Sequence, residues 1–176
     1  MHAGKHIPPD FVLRRLAAAD AEPYRRLRLE GLRSHPEAFA VSFDAEASKP
    51  LEWFAERLER NVVFGGWRDV SPLVGVIGLH IPDAAKSRHK GELWGLFVAP
   101  EAQGTGLAPA LLARAIEYAE AAVEEIRLSV VTTNRAAVRL YEKAGFRQFG
   151  LERRALKVDG RYYDELLMAL PLRAVP

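Results

Sequence analysis

The sequence predicts an α/β fold, a single domain in which a mixed sheet carries helices on its faces. Strand-like and helix-like apolar periods alternate along most of the 176 residues. The run Leu93-Trp94-Gly95-Leu96-Phe97-Val98 is almost wholly apolar, as a central strand covered on both faces must be. A glycine-containing turn follows it at once and opens a helical pattern, the strand–turn–helix order of an α/β unit.

The elements can be justified in order. Residues 1–10 lack an apolar pattern and are expected to be a disordered tail, leaving 11–176 as one domain. Residues 11–16 read as a strand, 22–34 as a helix with Tyr24, Leu27 and Leu32 on its apolar side, and 35–47 as a loop. Leu51, Phe54 and Leu58 stand at helical spacing in 51–60. Strands at 62–67 and 73–81 are joined around Asp69 to Pro72, and Glu92 opens the central strand 92–98. Helix 107–121 shows Leu107, Leu111, Leu112, Ala115, Ile116 and Ala119 at helical spacing. A strand at 126–132 precedes a helix at 135–144, with Asn134 as a good N-cap and Gly145-Phe146 as a good stop. Strands 146–158 and 162–170 close the chain around Asp159-Gly160, a strong hairpin turn.

Composition narrows the chemistry. With 49% hydrophobic and 27% charged residues, the chain suits one domain with a substantial core. It has no cysteine, which excludes disulfides, cysteine-ligated metal and an acyl-cysteine intermediate. The five histidines are scattered without metal-ligand spacing, so no metal is expected. A net charge of +2 and a pI near 9.0 suit a polyanionic ligand but are too mild to imply nucleic acid. No stretch approaches the roughly 20 apolar residues of a membrane span, and a cytoplasmic location is the default.

The turn Gln103-Gly104-Thr105-Gly106-Leu107-Ala108 is the most informative segment. A helix start carries unpaired N–H groups and partial positive charge, and glycines there let a phosphate approach closely. A P-loop would need its Gly-Lys-Ser/Thr where Pro109 and Ala110 stand, and a dinucleotide fingerprint would need a third glycine at Pro109. The pattern that fits is Q-x-x-G-x-A at Gln103, Gly106 and Ala108, which resembles the pyrophosphate-binding motif of the GNAT superfamily of acyl-CoA-dependent N-acetyltransferases. A second block, N-x-x-A-x-x-L-Y-x-K-x-G-F from Asn134 to Phe146, resembles that superfamily's next conserved segment in order and spacing. The resemblance covers essentially the whole chain, with 22–47 its least diagnostic part.

The resemblance implies a mixed, mostly antiparallel sheet flanked by helices on both faces, acetyl-CoA as co-substrate, and no metal. It implies that backbone groups of Phe97 and Val98 meet the pantetheine arm, with the Val98 N–H as a candidate oxyanion donor. The N–H groups of Gly104, Thr105, Gly106, Leu107 and Ala108, beside Gln103, would hold the pyrophosphate, and Asn134 would reach the pantetheine or phosphate region. Tyr141 would stand near the leaving sulfur, as general acid or as hydrogen-bond donor to the thiolate. Glu92, eleven positions before Gln103, is the candidate base, with ordered water as the alternative. Without a cysteine nucleophile, direct attack by a primary amine in a ternary complex is the expected mechanism, and a catalytically idle acyl-CoA-binding module is the alternative. Pro109 follows the motif and removes one N–H donor, which is expected to weaken cofactor binding without abolishing it.

The acceptor is less legible. In this fold the first two helices, their loop and the last hairpin shape its cleft. Here they offer Tyr24, Glu30, Phe39, Phe43, Arg153, Arg154, Tyr162 and Tyr163, of which Glu30, Phe39, Phe43 and Tyr162 are the chosen substrate-binding candidates. A small amine or amino acid and a peptide or protein amine both stay open, as does a homodimer.

Overall fold

The computed structural model describes residues 10–69 and 72–173, so the expected tail at 1–10 lies almost wholly outside them. Seven strands form one sheet: β1 (Phe11–Arg15), β2 (Val62–Arg68), β3 (Leu73–His80), β4 (Lys90–Val98), β5 (Glu125–Val131), β6 (Arg147–Val158) and β7 (Arg161–Pro171). Their order across the sheet is β1-β2-β3-β4-β5-β7-β6. Each neighbouring pair is antiparallel except β4 and β5, which run parallel. This is the mixed, mostly antiparallel sheet that the sequence led one to expect.

Among the described residues five α-helices accompany the sheet: α1 (Ala21–Ser34), α2 (Phe43–Ala47), α3 (Leu51–Arg60), α4 (Leu107–Ala122) and α5 (Arg135–Lys143). The expected loop at 35–47 is more structured than its sequence suggested. It contains a 3-10 turn, Pro36–Ala38, and the short α2, whose N-cap Ser42 accepts the Ala45 N–H at 3.3 Å. Five residues are too few for a periodic signal, and α2 owes its existence to a buried contact described below.

Side-chain alternation assigns the faces. Leu107, Leu111, Ala115 and Ala119 of α4 recur every four residues and are fully buried. A Cβ on Gly66 or Gly75 would stand 2.7 or 2.8 Å from a Leu107 methyl, so these glycines let the start of α4 lie close against β2 and β3. A Cβ on Gly91 would touch Val123 and Ile126, and Ile126 pairs with Leu170, which lies 3.3 Å from the Cβ position of Gly145. The end of α5 therefore shares α4's face. On the other face α1 packs over Phe97, with Phe97 Cγ 3.0 Å from the Cβ position of Gly31. Among the described residues no helix is long and apolar enough to cross a membrane.

Candidate active site

The parallel pair opens the sheet. β4 and β5 pair only at Lys90, Gly91 and Glu92 with Glu125, Ile126 and Arg127, yet β4 runs on to Val98 and β5 to Val131. The strands thus part beyond Glu92 and leave a crevice at their carboxyl ends, where open α/β sheets receive ligands. Opposite Ile77 of β3, β4 carries two residues, Gly95 and Leu96, and Gly95 adopts φ +64°. This bulge turns the strand just as it leaves its partner.

Backbone direction separates two of the expected cofactor contacts. The Ala99 N–H donates to the Val74 carbonyl at 2.8 Å, so it points toward β3. Successive residues of an extended strand present their amides to opposite edges, so Phe97 also faces β3 and Val98 faces the crevice. The Phe97 ring meanwhile packs on α1 and against His35, with ring centroids 6.3 Å apart. Contrary to the expectation for both residues, Val98 alone of the two turns its backbone to the opening.

The turn after β4 is tied back onto the strand. Gln103 Nε2 donates to the Val98 carbonyl at 3.1 Å, and Thr105 Oγ1 donates to the Ala102 carbonyl at 2.5 Å. Those two side chains shape the loop, and the backbone is left to meet a ligand. Gly104 has φ +73°, and an atom at its Cβ position would meet nothing within 4 Å. Gly106 caps α4 in the left-handed conformation without a side-chain bond. The Leu107 and Ala108 N–H groups are unpaired by the helix rule, Pro109 has none, and the Ala110 N–H closes onto the Gly106 carbonyl at 3.2 Å. The Leu107 side chain is fully buried, so its contribution is its amide. An open, glycine-lined helix start with free amides fits a pyrophosphate.

At the end of β5, Asn134 Oδ1 accepts the Ala137 N–H at 3.2 Å and starts α5, leaving its Nδ2 for other partners. Tyr141 on that helix is 9% exposed and stands edge-on to Phe146, with ring centroids 5.8 Å apart. Burial pushes its phenol up to about 12, which keeps it a proton donor at neutral pH.

Glu92 is exposed and lies opposite His80 and Arg127. It lines a cleft of about 310 Å³ with Pro82, Lys90, Arg127, Phe149 and Leu167. Glu92 and Val98 pair with His80 and Gly75, five residues apart on β3, a strand distance of about 16 Å at roughly 3.3 Å per residue. The two cannot touch one reacting centre together.

The acceptor candidates have different neighbours. Glu30 is exposed, and Phe43 lies under the Arg33 guanidinium, 4.4 Å from the ring centroid. Phe39 packs under Arg28 at 4.9 Å, while Tyr162 is exposed on the hairpin beneath Arg154 at 4.0 Å. Tyr24 is 1% exposed and packs edge-on to Phe54, which makes it a core residue. The Pro36–Ala38 turn reaches across to β5 and β6, so the segment after α1 overhangs the crevice from the α1 face.

What the sequence did not reveal is a buried ion cluster beside the bulge. Arg28 donates to Glu46 through Nε and Nη2, both at 2.9 Å, and Arg57 donates to the same carboxylate at 2.8 Å. Arg28 and Glu46 are 4% and 3% exposed. Both guanidiniums lie near the Trp94 ring, Arg57 at 4.5 Å and Arg28 at 5.9 Å. Burial alone would raise the Glu46 pKa, but the hydrogen bonds and charges of Arg28 and Arg57 outweigh it and hold the carboxyl below its ordinary value. The partners are 18 and 11 residues apart in sequence, so no local pattern hints at them. Among the described residues no group of His, Cys, Asp and Glu is arranged to hold a metal.

Known proteins share this architecture. An acetyltransferase from Streptococcus pneumoniae superposes with a TM-score of 0.79 over 92% of this chain and 98% of its own, at 22% identity. The yncA protein of Salmonella typhimurium, solved with its cofactor acetyl-CoA, gives a TM-score of 0.76 over 94% of this chain and 97% of its own, at 23% identity. In sequence, the mycothiol acetyltransferase of Beutenbergia cavernae is 35% identical over 80% of this chain and 46% of its own length. The spermidine N(1)-acetyltransferase of Vibrio cholerae is 36% identical over 43% of this chain and 45% of its own. The chain thus spans less than half the length of these curated relatives. The profile of the acetyltransferase (GNAT) family matches residues 25–146, and with the split parallel pair and the glycine turn in place the chain belongs to that family.

Proposed function

We propose that this protein is an N-acetyltransferase that moves an acetyl group from acetyl-CoA to a primary amine by direct attack, with both reactants bound. The observation that carries the reading is the crevice between β4 and β5, which joins free amides at the α4 start to the inward-facing Val98 backbone. Relatives named for mycothiol and for spermidine N(1)-acetylation support acetyl transfer, the second of them to an amine.

Each residue then has a task. The amides of Gly104 to Ala108 hold the pyrophosphate, with Gln103 and Thr105 bracing the loop and Asn134 Nδ2 available at the opposite wall. Acetyl-CoA, when bound, supplies the thioester carbonyl. The Val98 N–H donates to the oxygen that gains charge during attack. Tyr141, kept protonated by burial, donates to the departing sulfur.

An aliphatic ammonium of pKa about 10 must lose a proton before it attacks. Glu92 is too far along the strand to take it directly, so it accepts the proton through ordered water in the cleft it lines. That separation also favours one rival, an acyl-CoA-binding module without turnover.

Thiol release from acetyl-CoA, measured across a panel of amines and paired with the thermal shift by coenzyme A, tests the proposal. Release with at least one amine together with a shift is expected. A shift without release for every amine would leave the binding module, and no shift up to millimolar coenzyme A would remove both readings.

A further inference from the structure

The ion cluster beside the bulge is unbalanced. Two guanidiniums, Arg28 and Arg57, share one carboxylate, Glu46, and Arg28 is 96% withdrawn from solvent. A charge in so dry a place is costly unless it is paired. Glu46 occupies Nε and Nη2 of Arg28, while Nη1 makes no hydrogen bond among the described residues. The described side-chain polar atoms that are both sealed from solvent and unpartnered are Tyr24 Oη and Arg25 Nε, so Arg28 Nη1 is unpartnered but not sealed.

Its direction is given by Gly95. An atom placed where a Cβ would stand on that glycine meets Arg28 Nη1 at 3.3 Å and, outside Gly95 and its chain neighbours, nothing else within 4 Å. Gly95 therefore leaves the α1 face of the β4 bulge clear of its own side chain, next to a cationic donor on a largely buried residue. The spot lies past Glu92, where β4 and β5 have already parted. The Phe39 ring covers one side of the guanidinium from the overhanging segment, 4.9 Å from its centre.

We propose that Arg28 Nη1 anchors a carboxylate carried by the amine acceptor at the β4 bulge, so that the substrate class is free amino acids or other amines with a nearby carboxylate. The proposal rests on the N-acetyltransferase reading and narrows its acceptor. Glu46 and Arg57 are positioning residues: they orient the guanidinium in a fixed fork and leave one positive charge for the ligand.

The test compares kcat/KM for free L-amino acids with that for their amides, in the wild type, Arg28→Gln and Arg57→Gln. Dividing the wild-type acid-to-amide ratio by that of a variant cancels the difference in amine basicity, which is the same for every protein. The wild-type ratio is expected to exceed that of Arg28→Gln by about 10- to 100-fold, as for one charged hydrogen bond, with the larger part in KM. Arg57→Gln, which removes the surplus charge but leaves Arg28 Nη1 in place, should keep only part of that preference and lower stability. Equal losses for acid and amide in Arg28→Gln overturn the proposal and leave Arg28 a structural residue.

A titration of tryptophan fluorescence with N-acetyl amino acids and their amides needs no turnover. Selective binding of the acid form by the wild type but not by Arg28→Gln, with no amine acetylated, would sustain the anchor and remove the enzyme reading. Acetylation of spermidine alone, with no acid-selective binding, would do the reverse.

Discussion

Replacing Glu46 with Gln tests the account of the buried cluster most directly. The carboxylate accepts three charge-assisted hydrogen bonds, at 2.9, 2.9 and 2.8 Å, from two guanidiniums whose side chains are 5% and 20% exposed. Gln keeps the shape, removes the charge, and turns an NH₂ toward a donor. Breaking a buried pair from one side costs about 3–5 kcal/mol, since the remaining charge stays desolvated. For a domain of this length that corresponds to a fall in Tm of roughly 6–20 °C.

Urea unfolding followed by far-UV circular dichroism, with an unchanged m-value, measures the loss. The pH dependence gives a second signature. Because the folded-state pKa of Glu46 is lowered, its contribution is complete above the ordinary carboxylate pKa and disappears as pH falls through the folded value. The gap between wild type and Glu46→Gln should therefore be full at pH 7 and shrink below about pH 4. A loss under about 1 kcal/mol, or a gap that does not change with pH, would mean that water screens the cluster like a surface pair.

Four other outcomes follow from the structure. Tyr141→Phe should lower kcat by about a hundredfold or more while the thermal shift by coenzyme A persists; unchanged kcat would take Tyr141 out of the chemistry. The wild type should show no loss of phenol donation below about pH 10, because burial pushes that group up to about 12. Pro109→Ala restores an amide in the first turn of α4 and should tighten coenzyme A binding up to about tenfold by calorimetry, whereas weaker binding would place the phosphate elsewhere. Glu165 stands opposite Glu152, and its pKa is raised by burial and then by that neighbouring charge. A raised carboxyl contributes stability below its unfolded pKa and loses it as pH rises through the folded value, so Glu152→Gln should raise the urea midpoint at pH 7 and have little effect near pH 4. An equal change at both pH values would refute the repulsion.

Much of this molecule is local, and what is local was written in the sequence. The apolar run before Gln103, the glycines of the turn, the N-cap Asn134 and the Asp159-Gly160 hairpin each act over a few residues, so order and spacing were enough to place strand, turn and helix. The roles proposed for Val98 and Tyr141 came from the family resemblance of those motifs. Tertiary structure decided what depends on partners far along the chain. The parting of β4 from β5 needs both strands in register, and it alone turns Val98 toward the crevice and Phe97 away. The helix at Phe43–Ala47 is too short to stand on propensity; Glu46 holds it to Arg28 and Arg57, 18 residues earlier and 11 later, across three helices. Phe39 and Tyr162 had suitable chemistry, but their partners, Arg28 and Arg154, were set by packing. A buried charge is stable only where the fold assembles its counter-charges, and no window of sequence contains that information.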